Sequence, residues 1–258
     1  MNATLSLDLA RPISLIGRLR IVFRLMAMVG LLLASVPLYY LWRPLPGRNP
    51  WPRVFLGGIA WISGVRLRII GEPAKRGAFL LANHVSWLDV PVLAGASGTA
   101  FIAHSGLMES KLLTWLCRMN DTVFVARHDR RSVQEQVALV RTALTDTGAL
   151  TIFPEGTTSD GTGLLPFKSS LLSALDPSPP GIVGQPVWID YGPEANRIAW
   201  VGEEHGLNNF LRILARWRPL PVTVHFLEAF EPSAVGSRKA IAALARERIL
   251  AAMATPAA

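Results

Sequence analysis

In the run Asn83-His84-Val85-Ser86-Trp87-Leu88-Asp89, an imidazole and a carboxylate stand five residues apart in a stretch with little other charge. Histidine is the side chain whose ordinary titration range straddles neutral pH. A carboxylate bound to one ring nitrogen fixes the tautomer and leaves the other nitrogen free to take a proton. Ser86, with Asp89 three residues on, reads as a helix N-cap followed by an acidic residue in the first turn. Helix side chains lean toward the N-terminus, so Asp89 would reach back to the loop that holds His84. Such a pair is a base and its orienter, with no nucleophile of its own. The same residues also suit a blander arrangement, in which Asp89 only favours the helix dipole and His84 is an ordinary loop histidine. The segment alone leaves both open.

Other chemistries lack their residues. No Gly-x-Ser-x-Gly elbow supplies a hydrolase serine. Gly156 to Gly161 has the glycine spacing of a phosphate loop, but Thr162 occupies the lysine position. His84, His104, His128, His205, His225 and Cys117 form no short-spaced ligand pattern, so no metal and no bound cofactor are expected. A single cysteine forbids an intramolecular disulfide.

Residues that act together must be brought together by the fold. After Gly71-Glu72-Pro73 the chain alternates short apolar runs with amphipathic segments, the pattern of a βαβ chain. Buried strands are predicted over 79–82, 100–103, 122–126, 150–153, 187–191 and 222–226. The clearest helix begins at Ser132, which with Glu135 makes a capping box; Val133, Val137, Val140 and Leu144 share a face, and Gly148 stops it. A second amphipathic helix is expected over 237–253. Polar clusters follow three of the strands: Asn83-His84, Arg127 and Pro154-Glu155-Gly156-Thr157. In an open α/β sheet, ligands sit at the carboxyl ends of strands, so these clusters are expected to share one pocket. The expected fold is α/β: a mixed, mostly parallel sheet flanked by helices, preceded by an N-terminal membrane-associated helical segment. Residues 1–70 would be the anchor and 71–258 the catalytic domain.

From Leu25 to Trp42 there are 18 residues without a formal charge, about 27 Å as a helix and close to the apolar thickness of a bilayer. Arginines bracket the run on both sides, so the positive-inside rule gives no orientation, and a re-entrant or interfacial anchor fits as well as a span. A second apolar stretch, 54–65, is too short to cross but carries Phe55 and Trp61, residues suited to headgroup depth. Membrane attachment is preferred to a cleaved signal, because the run closes on Tyr39, Tyr40 and Trp42 rather than on small residues, and to a helix pair buried in a soluble protein. The formal charge of +8 would suit an anionic surface or substrate. Nucleic acid has only that charge in its favour. Phe210, Leu211, Ile213 and Leu214, interleaved with arginines, suit either a membrane-surface helix or packing on the sheet, with packing the more ordinary.

Four motifs in order resemble the glycerolipid acyltransferase family, which includes lysophosphatidic acid acyltransferases. They are Asn83-His84 with Asp89; Val123-Phe124-Val125-Ala126-Arg127; Phe153-Pro154-Glu155-Gly156-Thr157; and Pro186-Val187-Trp188-Ile189. The resemblance implies that His84 removes the proton from a lysolipid hydroxyl, which attacks the thioester of acyl-CoA or acyl carrier protein, while Asp89 holds the ring. It implies that Arg127 meets an anionic headgroup; otherwise Arg127 is a solvated member of a cluster with Arg130 and Arg131. Glu155, Gly156 and Thr157 would line the acceptor site, and Lys168 would bind donor phosphates or a developing oxyanion unless it is a surface lysine. The implied activity is that of a 1-acylglycerol-3-phosphate O-acyltransferase at the inner face of the cytoplasmic membrane. Where lysophosphatidic acid enzymes often carry arginine after the third motif, this chain has Thr158. The run through Thr158-Ser159-Asp160-Gly161 is similar to the lyso-ornithine lipid branch, so that acceptor is an alternative. A catalytically silent lipid-binding protein is the reading from a different class.

Overall fold

Short apolar runs punctuated by glycine, asparagine and proline need partners on both faces, and here they find them in a single sheet. The structure, a computed structural model, describes residues 13–74, 77–104, 108–125, 138–144 and 148–255. The strands are β1 (Val65–Ile70), β2 (Ala78–Ala82), β3 (Ala100–His104), β4 (Val123–Val125), β5 (Ala149–Ile152), β6 (Val183–Asp190) and β7 (Leu220–Phe226), in the spatial order β1-β7-β6-β2-β5-β3-β4. Every pairing is parallel except β6 with β7. The central strand β2 is buried at all five positions, as a strand covered on both faces must be. One core lies on each side of the sheet. The first holds Leu80, Val92, Val187 and Val224, and the second holds Phe79, Leu81, Leu150 and Ile241.

Most strands lie within two residues of the expected boundaries; β6 and β1 differ more. β6 begins at Val183 rather than 187, because Gly184 pairs in an isolated bridge with Phe230 and Pro186 sits opposite Leu81 in the β2 register. β1 was not expected at all: Val65–Ile70 falls in the stretch assigned to the anchor, yet it pairs along its length with β7. Its exposed arginines, Arg66 and Arg68, hide the apolar signal, since an edge strand needs only part of its surface covered.

The helix expected from Ser132 is described only over 138–144, where Val140 and Leu144 are buried; Ser132, Val133, Glu135 and Val137 lie outside the described residues. The C-terminal helix runs Arg238–Ala254, capped by the Ser237 hydroxyl on the Ala240 N–H, with Ile241, Ala245 and Ile249 buried.

The N-terminal apolar run folds as helix α1 (Leu15–Trp42), longer than the charge-free stretch because Ser14 caps it upstream, accepting from the Gly17 N–H at 3.2 Å. At 28 residues it extends roughly 42 Å, and it is the one helix among the described residues with the length and apolarity to cross a membrane. Leu15, Phe23, Leu33 and Leu41 are exposed on it. Helix α2 (Trp51–Ile62) follows.

Both helices are fastened to the sheet domain by arginines. Arg20 and Arg24 donate to the carbonyls of Ala215 and Leu214, each at 2.9 Å, at the end of helix α5 (Gly206–Ala215). Arg53 donates to Gly95 at 3.1 Å and Ala96 at 2.9 Å in the last turn of helix α3 (Asp89–Ser97). Cations placed there satisfy orphan carbonyls and complement the negative end of the helix dipole. α2 also crosses α3 backbone to backbone: a Cβ on Gly95 would lie 2.8 Å from the Gly57 Cα, so Gly95 requires glycine, and a Cβ on Gly57 would crowd the Gly95 Cα at 3.2 Å. The 210–214 segment packs against α1 rather than on the sheet alone, with Leu214, Phe210 and Leu211 meeting Ile21 and Met28.

Candidate active site

Parallel neighbours β6, β2 and β5 end at the same edge of the sheet, and the three segments leaving them build the site. After β2 the chain turns sharply through Asn83 to Leu88. The turn pairs with no strand, and several of its polar groups are held from outside it. The Asn83 side chain bonds both backbone groups of Ile189 on β6, donating to the carbonyl at 3.1 Å and accepting from the N–H at 2.7 Å. Glu155 Oε1 accepts the His84 N–H at 2.7 Å. The Ser159 N–H and hydroxyl donate to the His84 carbonyl at 2.7 and 3.1 Å. The Val85 carbonyl accepts from the Trp200 N–H at 2.9 Å.

Asp89 closes this loop from the first position of α3. Its Oδ2 lies 2.7 Å from His84 Nδ1 and accepts the N–H groups of Val85 at 2.7 Å and Ser86 at 2.9 Å. The carboxylate thus ties the turn together and does not cap the helix, whose N-cap is Leu88 with no side-chain cap bond; the Ser86 hydroxyl, expected to cap it, instead accepts the Leu88 N–H at 3.0 Å within the turn. Asp89 is completely buried, and an ionised carboxylate there requires the His84 proton on Nδ1. His84 Nε2 has no hydrogen-bond partner among the described residues, and the side chain is 20% exposed. The ring lies flat on Phe153, centroids 4.1 Å apart and 16° between planes, which fixes the one rotation the carboxylate leaves free.

The imidazole opens onto a cavity of about 740 Å³ between α1, α2 and the sheet domain. Met28, Leu32, Phe55, Trp87 and Leu116 are among its mostly apolar walls, and Gly156 and Thr157 reach it at the His84 end. The long helices α1 and α2 are thus one side of the site and not merely a tether. Helix α4 (Lys111–Met119), whose Trp115 indole donates to the Tyr40 hydroxyl at 3.2 Å, closes part of the opposite wall.

The expected site residues do not all stand where sequence put them. His84, Asp89, Gly156 and Thr157 come together. Lys168 is exposed but close, its Nζ 2.9 Å from where a Gly156 Cβ would be, and Gly156 adopts a φ of +70°, a conformation open to glycine at little cost and strained for most other residues. Arg127 lies outside the described residues. Glu155, expected to line the acceptor site, is 1% exposed, with one oxygen on the His84 N–H and the second accepting the Leu165 N–H at 2.9 Å. It clamps the third motif to the first. Sequence reasoning passed over Tyr191, whose hydroxyl donates to Asp89 Oδ1 at 2.6 Å; the available signal was its place one residue past a strand at the same sheet edge.

Burial pushes the Glu155 carboxyl up to about 7, against the two backbone N–H groups that favour its anion. The folded chain therefore binds that proton more tightly than the unfolded chain does. The resulting stability is fully present below pH 4.5 and lost as pH rises through about 7. Glu155→Gln cannot titrate, so the stability of the wild type relative to this variant should fall between pH 5 and 7, on the order of 1 kcal/mol per unit. Thermal unfolding in detergent at several pH values measures this, and a constant difference across the window would refute it.

A family model described as Acyltransferase matches residues 66–190. A lyso-ornithine lipid O-acyltransferase from Rhizobium meliloti is 36% identical over 240 residues, covering 87% of this chain and 82% of that protein. A 1-acyl-sn-glycerol-3-phosphate acyltransferase from Neisseria gonorrhoeae is 36% identical over 111 residues, 42% of this chain and 44% of that one. Among solved structures, the 1-acyl-sn-glycerophosphate acyltransferase of Thermotoga maritima shares the fold with a TM-score of 0.59 at 21% identity, covering 93% of this chain and all of the other.

Proposed function

Since the chain belongs to the glycerolipid acyltransferase family that its four motifs resemble, we propose that it moves a fatty acyl group from the thioester of acyl-CoA or acyl carrier protein to the free hydroxyl of a lysolipid, with His84 as general base. The observation that carries this reading is the His84 ring, held through Nδ1 by a buried carboxylate, with Nε2 unengaged at the mouth of a large apolar cavity. Nε2 takes the acceptor's hydroxyl proton as the oxygen attacks the thioester carbonyl. The tetrahedral intermediate collapses with cleavage of the C–S bond, and the proton passes from Nε2 to the departing thiolate. Asp89 steadies the transient imidazolium without leaving its place. The cavity suits an alkyl chain, with Gly156 and Thr157 on its wall; Lys168, beside Gly156, is proposed for the donor's phosphates or the developing oxyanion, and Arg127 for the acceptor's anionic headgroup on the strength of its motif. The exposed apolar face of α1 supports attachment to a membrane, with the catalytic domain at its inner face.

For the acceptor we favour a lyso-ornithine lipid, the alternative raised by the run after the third motif, over lysophosphatidate, the acceptor that the family resemblance first implied. The support is coverage: likeness to the Rhizobium lyso-ornithine enzyme extends over 87% of the chain, whereas likeness to the Neisseria enzyme is confined to 42%. A panel of lysophosphatidate, lysophosphatidylcholine and lyso-ornithine lipid, assayed by thiol release from acyl-CoA with the protein in detergent, tests both levels. Preference for lyso-ornithine lipid is expected. Preference for lysophosphatidate would reverse the acceptor, and binding without turnover for every donor and acceptor would remove the enzymatic reading.

A further inference from the structure

The two oxygens of Asp89 are unequally served. Oδ2 accepts from His84 Nδ1, the Val85 N–H and the Ser86 N–H. Oδ1 has one partner among the described residues, the Tyr191 hydroxyl at 2.6 Å. Tyr191 is among the largest fully enclosed side chains of the core, 2% exposed, and its hydroxyl has no second partner among the described residues. It stands one residue past the end of β6, the strand adjacent to β2, and meets the carboxylate at the oxygen that His84 does not use.

We propose that Tyr191 is a positioning residue for acyl transfer, its phenol holding Asp89 Oδ1 and thereby setting how tightly the Asp89–His84 pair binds a proton. This rests on His84 being the base. A short hydrogen bond from a neutral donor to a buried anion stabilises the anion strongly. Burial and the facing carboxylate both push the phenol well above its ordinary range, so Tyr191 remains a donor at any working pH. Removing the donor leaves Oδ1 dry and unpaired. The proton-free pair then loses more than the protonated pair does, and the two groups together hold a proton more firmly.

Among the described residues, the phenol hydrogen-bonds to no charged group other than Asp89. Glu155 contacts the His84 backbone from the β5 loop, and Lys168 lies beside Gly156. On the segment after β6, Glu194 is paired with Arg216 at 2.8 Å and with Arg197 at 3.6 Å. On α5, Arg212 is paired with Glu204 at 2.8 Å.

The test is the pH dependence of kcat/KM for thiol release, using the acceptor that the panel identifies. Tyr191→Phe is expected to move the acidic limb upward by about one pH unit. Site-specific replacement of Tyr191 by 3-fluorotyrosine, a more acidic phenol and a stronger donor, should move the same limb downward; it also decides the matter if the phenylalanine variant does not fold. A residue that only fills the core would lower the amount of active enzyme and leave the limb where it was. Wild-type limbs in both variants, with His84→Ala inactive, would overturn the role of Tyr191 alone. An active His84→Ala with an unchanged limb would overturn the base assignment, and this proposal with it.

Discussion

His84→Ala is expected to lower kcat/KM by roughly a hundred- to ten-thousand-fold, the contribution of a well-placed general base. The substitution deletes the one ring nitrogen that is both free and exposed to the cavity. It leaves the backbone clamps from Glu155 and Ser159 intact, because these hold the main chain and not the ring. Folding should therefore survive, although the Phe153 ring loses its stacked neighbour and Asp89 Oδ2 keeps only its two backbone donors. Measured thiol release at saturating lysolipid, beside an unchanged thermal midpoint within a few degrees, would separate lost chemistry from lost structure. Turnover equal to the wild type would remove His84 from the mechanism.

Asp89→Asn should cost a comparable factor for a different reason. The amide is nearly isosteric, and its oxygen can take over the place of Oδ2 while its nitrogen donates to the Tyr191 hydroxyl, so the loop geometry can persist. What disappears is the negative charge facing the imidazolium in a site closed to water, where such a charge counts for far more than at a surface. A loss of roughly a hundredfold or more in kcat with little change in KM is expected. A variant within threefold of the wild type would mean that the carboxylate only caps the turn. Asp89→Ala is a poorer probe, because it also strands the Val85 and Ser86 N–H groups in the core.

Much of the sheet was legible because strands covered on both faces must be continuously apolar. Phe79-Leu80-Leu81-Ala82 leaves little else to be. β1 was not legible, since Val65-Arg66-Leu67-Arg68 at an edge needs no such signature and follows directly on an apolar helix. At the site, spacing raised His84 and Asp89 as a candidate pair without deciding between catalysis and capping; the structure places them 2.7 Å apart. Glu155 illustrates the limit: a motif marks a residue as necessary without saying whether it faces substrate or backbone, and only the burial of both oxygens distinguishes the two. Tyr191 lies 102 positions from Asp89, and nothing local announces a contact that depends on the β6–β2 register.

The three arginines that reach from α1 and α2 into the ends of α3 and α5 bear on protein engineering. Trimming the apolar N-terminus to gain solubility would leave the last-turn carbonyls of both helices without their guanidinium partners. It would also bare Gly95 and remove a wall of the cavity beside His84. A shortened chain beginning at β1 would thus retain the motif residues and lose the surface that makes them a pocket. Solubility is better sought by recoding the outward-facing leucines of α1 than by deleting it.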